Sequence, residues 1–208
     1  MRRSRSPGTP PAPAALAALA ACAWPGPAWA HSLSARFGNF YGGLLHPATA
    51  LEQALPLVAL GLLAGQNGRR PARWLLPVVP AAFALGTSLG GALPPPPYLG
   101  VINAGSFLVL GLLLAFDGAL PLPLLLGLGA GFGLSHGLAN ASGMAGGTDP
   151  WLFVLGGTLT SLAAILLPSA LVVSLEAAWQ RIAVRIAGSW IAAVGAMILA
   201  LPHTGTSD

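Results

Sequence analysis

Two histidines, one carboxylate and a few amides carry almost all the coordinating chemistry of this chain. His46 heads an apolar stretch, Leu45-His46-Pro47-Ala48-Thr49-Ala50-Leu51-Glu52-Gln53, in which Glu52 is the only acid before Asp117. His136 closes a second such stretch, Gly133-Leu134-Ser135-His136-Gly137-Leu138-Ala139-Asn140. A carboxylate within hydrocarbon is costly, which marks Glu52 as functional by default. Neutral imidazole is the commonest ligand of borderline divalent metals, with carboxylate and amide oxygens as supplementary donors. Cys22 is the single cysteine, so an internal disulfide and a thiolate metal cage are both excluded. The donor set leans toward nickel, cobalt, zinc or copper.

On a straight helix, His46 and Gln53 share one face two turns apart, with Thr49 between them. Glu52 then lies about 100° round from Gln53 and about 9 Å deeper than His46. His136 and Asn140, four apart, share a face of their own helix. A path lined by His46, Thr49, Glu52 or Gln53, His136 and Asn140 suits the stripping and passage of a hydrated cation. Pro47 lacks an N–H, so it frees a backbone carbonyl near His46 as a further oxygen donor. Each group also has a plainer reading: either histidine as a helix–helix hydrogen-bond partner, Glu52 as a protonated structural acid, His203 as a solvated tail residue. Gly133-Leu134-Ser135-His136-Gly137 matches the G-x-S-x-G nucleophile pattern, but that pattern has meaning on a strand-to-helix turn, not inside an apolar helix. An intramembrane serine protease using Ser135 is therefore only a remote alternative.

The elements that must position these groups are membrane helices. The chain has 208 residues, of which 7% are charged, and a mean hydropathy of +0.75; soluble domains carry about 25% charged residues. Six stretches approach the roughly 20 apolar residues of a span: about 43–65, 74–93, 98–116, 119–139, 151–174 and 182–201. The expected fold class is thus an all-α integral membrane protein with about six transmembrane helices after a cleaved signal peptide. That signal occupies 1–30: Arg2, Arg3 and Arg5, then a short apolar run, then Ala28-Trp29-Ala30 as a small-x-small cleavage site. The six-helix domain occupies 31–208, and cleavage leaves His31 with a free α-amine beside its imidazole, a chelating pair. Leu19-Ala20-Ala21-Cys22 offers a competing lipoprotein reading.

There is no lysine, and the nine arginines fall at the N-terminus, at Arg36 and in two inter-span loops (Arg69, Arg70, Arg73; Arg181, Arg185). That distribution is a topology signal and not a nucleic-acid surface. It places those two loops in the cytoplasm and both mature termini in the periplasm of a bacterial inner membrane. The topology then sets His46 and His136 near the same outer depth. Gly127, Gly129, Gly131 and Gly133 put small residues on several faces of the fourth span, which suggests a central helix.

At these residues the chain resembles the HupE/UreJ family, membrane proteins linked to nickel or cobalt supply for hydrogenase and urease. The family's first helix carries H-P-x-x-G-x-D-H and a later helix H-G-x-A-H-G; here stand His46-Pro47-Ala48-Thr49-Ala50-Leu51-Glu52-Gln53 and His136-Gly137-Leu138-Ala139-Asn140. The resemblance covers essentially the whole mature chain. It implies a permease, not an enzyme, passing Ni2+ or Co2+ as cargo with no prosthetic group, with His46, Glu52, Gln53, His136, Asn140 and His31 as metal-handling residues. The departures are Ala50 for the motif's glycine, Glu52 for its aspartate, and Gln53 and Asn140 for histidines, which exchange imidazole for weaker amide donors. A non-transporting assembly or scaffold factor for a metalloenzyme is the alternative. The expected partners are the metal and the bilayer, with no nucleic acid; homo-oligomerisation and contact with metalloenzyme maturation proteins stay open.

Overall fold

The computed structural model describes residues 28–144 and 146–200, with side chains described from residue 38. Residues 1–27, and with them Cys22 and most of the expected signal, lie outside the described residues, as do the side chain of His31 and the whole of His203. Seven α-helices follow one another: α1 (Ala28–Thr49), α2 (Leu51–Gln66), α3 (Arg69–Ala92), α4 (Leu99–Phe116), α5 (Leu122–Asn140), α6 (Pro150–Val173) and α7 (Ala178–Ala200), with a 3-10 turn at Ala141–Gly143. No strand occurs among the described residues. Five helices are long and apolar enough to cross a membrane alone; Gly38–Thr49 and Leu51–Gln66 pass the same test only when taken together, as a bent pair that makes a sixth span if it counts as one. The all-helical membrane fold expected from hydropathy is the fold observed.

The first span is not the straight helix expected over 43–65. Its two arms meet at 74° across Ala50, whose backbone is extended (φ −80°, ψ 100°). Local chemistry favours the break. Pro47 removes one backbone donor, and the Thr49 hydroxyl bonds back to the Leu45 carbonyl at 2.8 Å. Thr160 on α6 donates to the Leu44 carbonyl and holds the end of α1 from outside. Glu52 then falls in the first turn of α2, where the helix dipole favours a negative charge.

Bilayer lipid is as apolar as leucine, so close backbone approach, not hydrophobicity, must hold the helices together. Glycines supply that approach at every major pair. A Cβ at Gly43 or Gly156 would strike the facing backbone across α1–α6, and one at Gly61 or Gly65 would strike α6 from α2. Gly86 and Gly137 close α3 on α5, and Gly111, Gly188 and Gly195 close α4 on α7. The most enclosed helix is α2, whose Leu57, Leu60 and Leu63 are fully buried with Leu75, Phe83, Leu110, Leu114 and Ile165 around them. This corrects the expectation for α5. Gly129 and Gly133 do pack on Leu75, Val79 and Ala82 of α3, but Gly127 and Gly131 face open space. The central helix is α2.

Candidate functional site

The bundle has two ends: one carries the prolines 94–97, the other the arginines, which the structure places not in loops but in the opening turns of α3 and α7. His136 is fully buried, one turn before the end of α5 on the proline side. Its Nε2 lies 2.8 Å from the Ser106 hydroxyl of α4, and that hydroxyl lies 2.6 Å from the Asn103 carbonyl. A carbonyl can only accept, so these distances fit an arrangement in which the hydroxyl proton goes to Asn103 and Nε2–H donates to Ser106. Nδ1 is left as a bare lone pair with no partner among the described residues. A chain of this kind, imidazole N–H to a fixed acceptor with the other nitrogen open, is how metal-ligating histidines are oriented.

The remaining unpartnered buried atoms have the same character. They are Gln53 Oε1, Asn103 Oδ1, Asn140 Oδ1 and Gln66 Oε1, all acceptors. Gln53 is 2% exposed and Asn140 fully buried, and each buried acceptor left unpaired is costly. Asn140 spends its amide N–H on the Thr87 hydroxyl (3.3 Å), which in turn donates to the Phe83 carbonyl (3.0 Å). Gln66 lies at the arginine end, but Gln53 Oε1, Asn103 Oδ1 and Asn140 Oδ1 gather with His136 Nδ1 toward the proline end, so that region is chemically complementary to a cation.

The sequence-derived residues fall into two neighbourhoods. Glu52 and Gln53 line a cavity of about 330 Å³ with Asn103, Ala139 and Pro96. Asn103 precedes Ser106 by one turn and Ala139 follows His136 by one turn, so the cavity lies just outward of the His136–Ser106 pair. His46 stands elsewhere, with its ring against Gly143 and 6.3 Å from the Phe153 ring. Asn140, one turn beyond His136 on α5, approaches Gly157, one turn beyond Phe153 on α6. It links the two neighbourhoods. The expected matching depth of the histidines does not hold: Gly143 is seven residues beyond His136, which puts His46 roughly 10 Å nearer the proline end. The break at Ala50 also removes the shared face proposed for His46, Thr49 and Gln53. The carbonyl freed by Pro47, that of Gly43, lies against Gly157. No group of three or more His, Cys, Asp or Glu able to hold a metal occurs among the described residues, so any cation here is held largely by amide and imidazole donors.

Ser106, Asn103 and Thr87 were not singled out from the sequence. The signal was present: Asn103 and Ser106, three apart, are the polar pair of α4, otherwise one of the most apolar helices. The serine protease alternative is corrected by the same geometry. Ser135 lies within the unbroken helix α5 and bonds the Phe132 carbonyl at 3.1 Å, while His136 turns to Ser106.

Fold and site together define a helical membrane protein with a buried, acceptor-lined region at one end. Residues 19–198, most of the chain, match the model of the HupE / UreJ protein family, and the chain belongs to that family. It is a family of membrane-transporter type, associated with nickel and cobalt transport or with urease and hydrogenase maturation. Neither the curated proteins nor the solved structures yielded a match to the chain.

Proposed function

We propose that the protein is an inner-membrane permease that moves a divalent transition metal, nickel or cobalt, into the cytoplasm for metalloenzyme maturation. The proline end faces the periplasm and the arginine end the cytoplasm, in keeping with the positive-inside rule. Glu52 attracts the hydrated ion at the mouth of the cavity, where Gln53 and Asn103 replace part of its water. The ion then meets the Nδ1 lone pair of His136, with Asn140 Oδ1 one turn away. His46 serves the approach, at the periplasmic end of α1.

One observation carries this reading: a fully buried imidazole whose N–H is tied to Ser106 and whose other nitrogen is an open lone pair. The test is cellular nickel and cobalt accumulation at matched membrane abundance, comparing the unmodified protein with His46→Ala, Glu52→Ala and His136→Ala. Uptake that rises on expression and falls to background in His136→Ala and Glu52→Ala is the expected result. No uptake of either metal by the unmodified protein overturns the permease and moves the scaffold reading forward.

A further inference from the structure

The arginine end of the bundle holds a second cavity, of about 210 Å³, built from parts of the chain far apart in sequence. Gly65, Gln66 and Gly68 supply one side, Val172, Val173 and Val184 an apolar wall, and Arg69, Arg181 and Asp117 the charge. Both arginines sit in the first turn of their helices, α3 and α7. Among the described residues neither arginine forms an ion pair, although the Asp117 carboxylate lines the same cavity. The neighbouring Arg185 behaves differently, since its Nε donates to the Ala115 carbonyl at 2.9 Å and closes the end of α4. The topology rule requires arginines at this end but does not require two of them to converge on one cavity from α3 and α7.

The lining has a second half. Gln66, a lining residue, donates its amide N–H to the Leu114 carbonyl (3.2 Å), which leaves its Oε1 buried and unpartnered. Asp117 adds two carboxylate oxygens. The cavity therefore offers two guanidinium groups, the N–H groups of the α3 N-terminus, uncapped by any side chain, and a separate set of acceptors. Guanidinium and helix N-terminal N–H groups suit phosphate oxygens. The acceptors suit an ammonium or hydroxyl a few bonds away, and the valines suit an acyl-glycerol stem.

We infer that this cavity binds the headgroup of a phospholipid whose phosphodiester bears a hydrogen-bond donor, with phosphate on Arg69 and Arg181 and the donor on Asp117 and Gln66. This stands apart from metal passage, because no residue is shared between the two ends. A lipid so held ties α3, α4 and α7 together at their cytoplasmic ends.

The test uses the full chain in detergent and measures binding of short-chain phosphatidylethanolamine, phosphatidylcholine and inorganic phosphate. Phosphatidylcholine keeps the phosphate but has no N–H, so it separates the two halves of the site. The expected results are tighter binding of the ethanolamine lipid than of the choline lipid, a loss of that preference in Asp117→Asn, and about tenfold or more weaker binding in Arg69→Gln/Arg181→Gln. Arg70→Gln/Arg73→Gln removes the same charge from the start of α3 outside the cavity lining and should bind normally. Arg181→Lys keeps the topology signal but loses the planar fork, so it guards against misassembly of the double variant; weaker binding is expected there too. Unchanged binding in Arg181→Lys and Arg69→Gln/Arg181→Gln, or an equal loss in the Arg70/Arg73 variant, overturns the site. Inorganic phosphate displacing the lipid at equal concentration overturns the headgroup as its occupant.

Discussion

At the scale of single residues, the decisive feature is the proton order in the chain His136–Ser106–Asn103. Each of its bonds is short, and together they leave Nδ1 as the only open position of the imidazole. Ser106→Ala removes the acceptor that fixes the ring, and the Nε2–H is then buried without a partner. Loss of such an orienting partner typically weakens a metal site by about 10- to 100-fold, so metal uptake in Ser106→Ala should fall by that order with the protein still in the membrane. Ser135→Ala is the matched comparison: it removes only a hydroxyl bonded to its own helix and should leave uptake unchanged. Initial rates of nickel uptake in the two variants distinguish an oriented ligand from a general loss of polarity, and equal rates would remove Ser106 from the site. His136 and Asn140 were legible as candidates because a polar residue at the end of an apolar run stands out against its neighbours. The partners were not, because Ser106 meets His136 only once α4 and α5 are paired, and nothing in a lone sequence specifies that pairing.

At the scale of helices, hydropathy gave the elements and failed at their faces. Apolar runs of about 20 residues are set by bilayer thickness, so α3 to α7 were readable as elements, although α3 starts five residues before the expected 74 and α7 four before the expected 182, because both helices take in the arginines that precede the apolar run. Hydropathy dips at His46–Gln53 around Ala50, but a dip marks polar residues and does not by itself specify a 74° bend. Every statement that assumed a straight first helix therefore moved: Gln53 went inside, Glu52 went to a helix start, and His46 went to the neighbourhood of α6. The glycines were similarly ambiguous, since counting them could not separate those that seat a partner from those that face lipid. The structure separates them, and the distinction is testable. Gly86→Ala places a methyl against the Leu134 carbonyl, a rigid backbone atom, and should destabilise the α3–α5 pair by about 1–3 kcal/mol. Gly131→Ala meets nothing within 4 Å and should be neutral or slightly stabilising, as expected for glycine replaced by a better helix former. Thermal unfolding of the two purified variants, followed by loss of helical signal, decides between them. Equal midpoints would mean that the α3–α5 contact is looser than the backbone approach indicates.

At the scale of the whole molecule, the proposed permease needs a source of energy to move a divalent ion through a bundle with so little charge. The chain carries four acids before its last residue, and none of them is among the residues buried in the core. The sequence contains no phosphate-binding loop for a nucleotide, and the energy proposed for transport is that of a gradient. A doubly charged ion crossing to a negative interior gains about 4.6 kcal/mol per 100 mV, twice the single-charge value. That is enough for a gradient of roughly a thousandfold or more. A donor set dominated by neutral amides and one imidazole fits this source of energy, because it holds the ion without neutralising it, and the field then acts on the full charge. In vesicles containing only this protein, with equal nickel on both sides, an inside-negative potassium diffusion potential should cause accumulation, and reversing the potential should cause loss. Glu52→Gln should slow both directions while leaving the final ratio set by the potential, since a residue that attracts the ion changes rate and not equilibrium. Accumulation that persists at zero potential and follows an imposed proton gradient would instead make Glu52 a proton-exchanging group, and Glu52→Gln would then abolish coupling as well as speed.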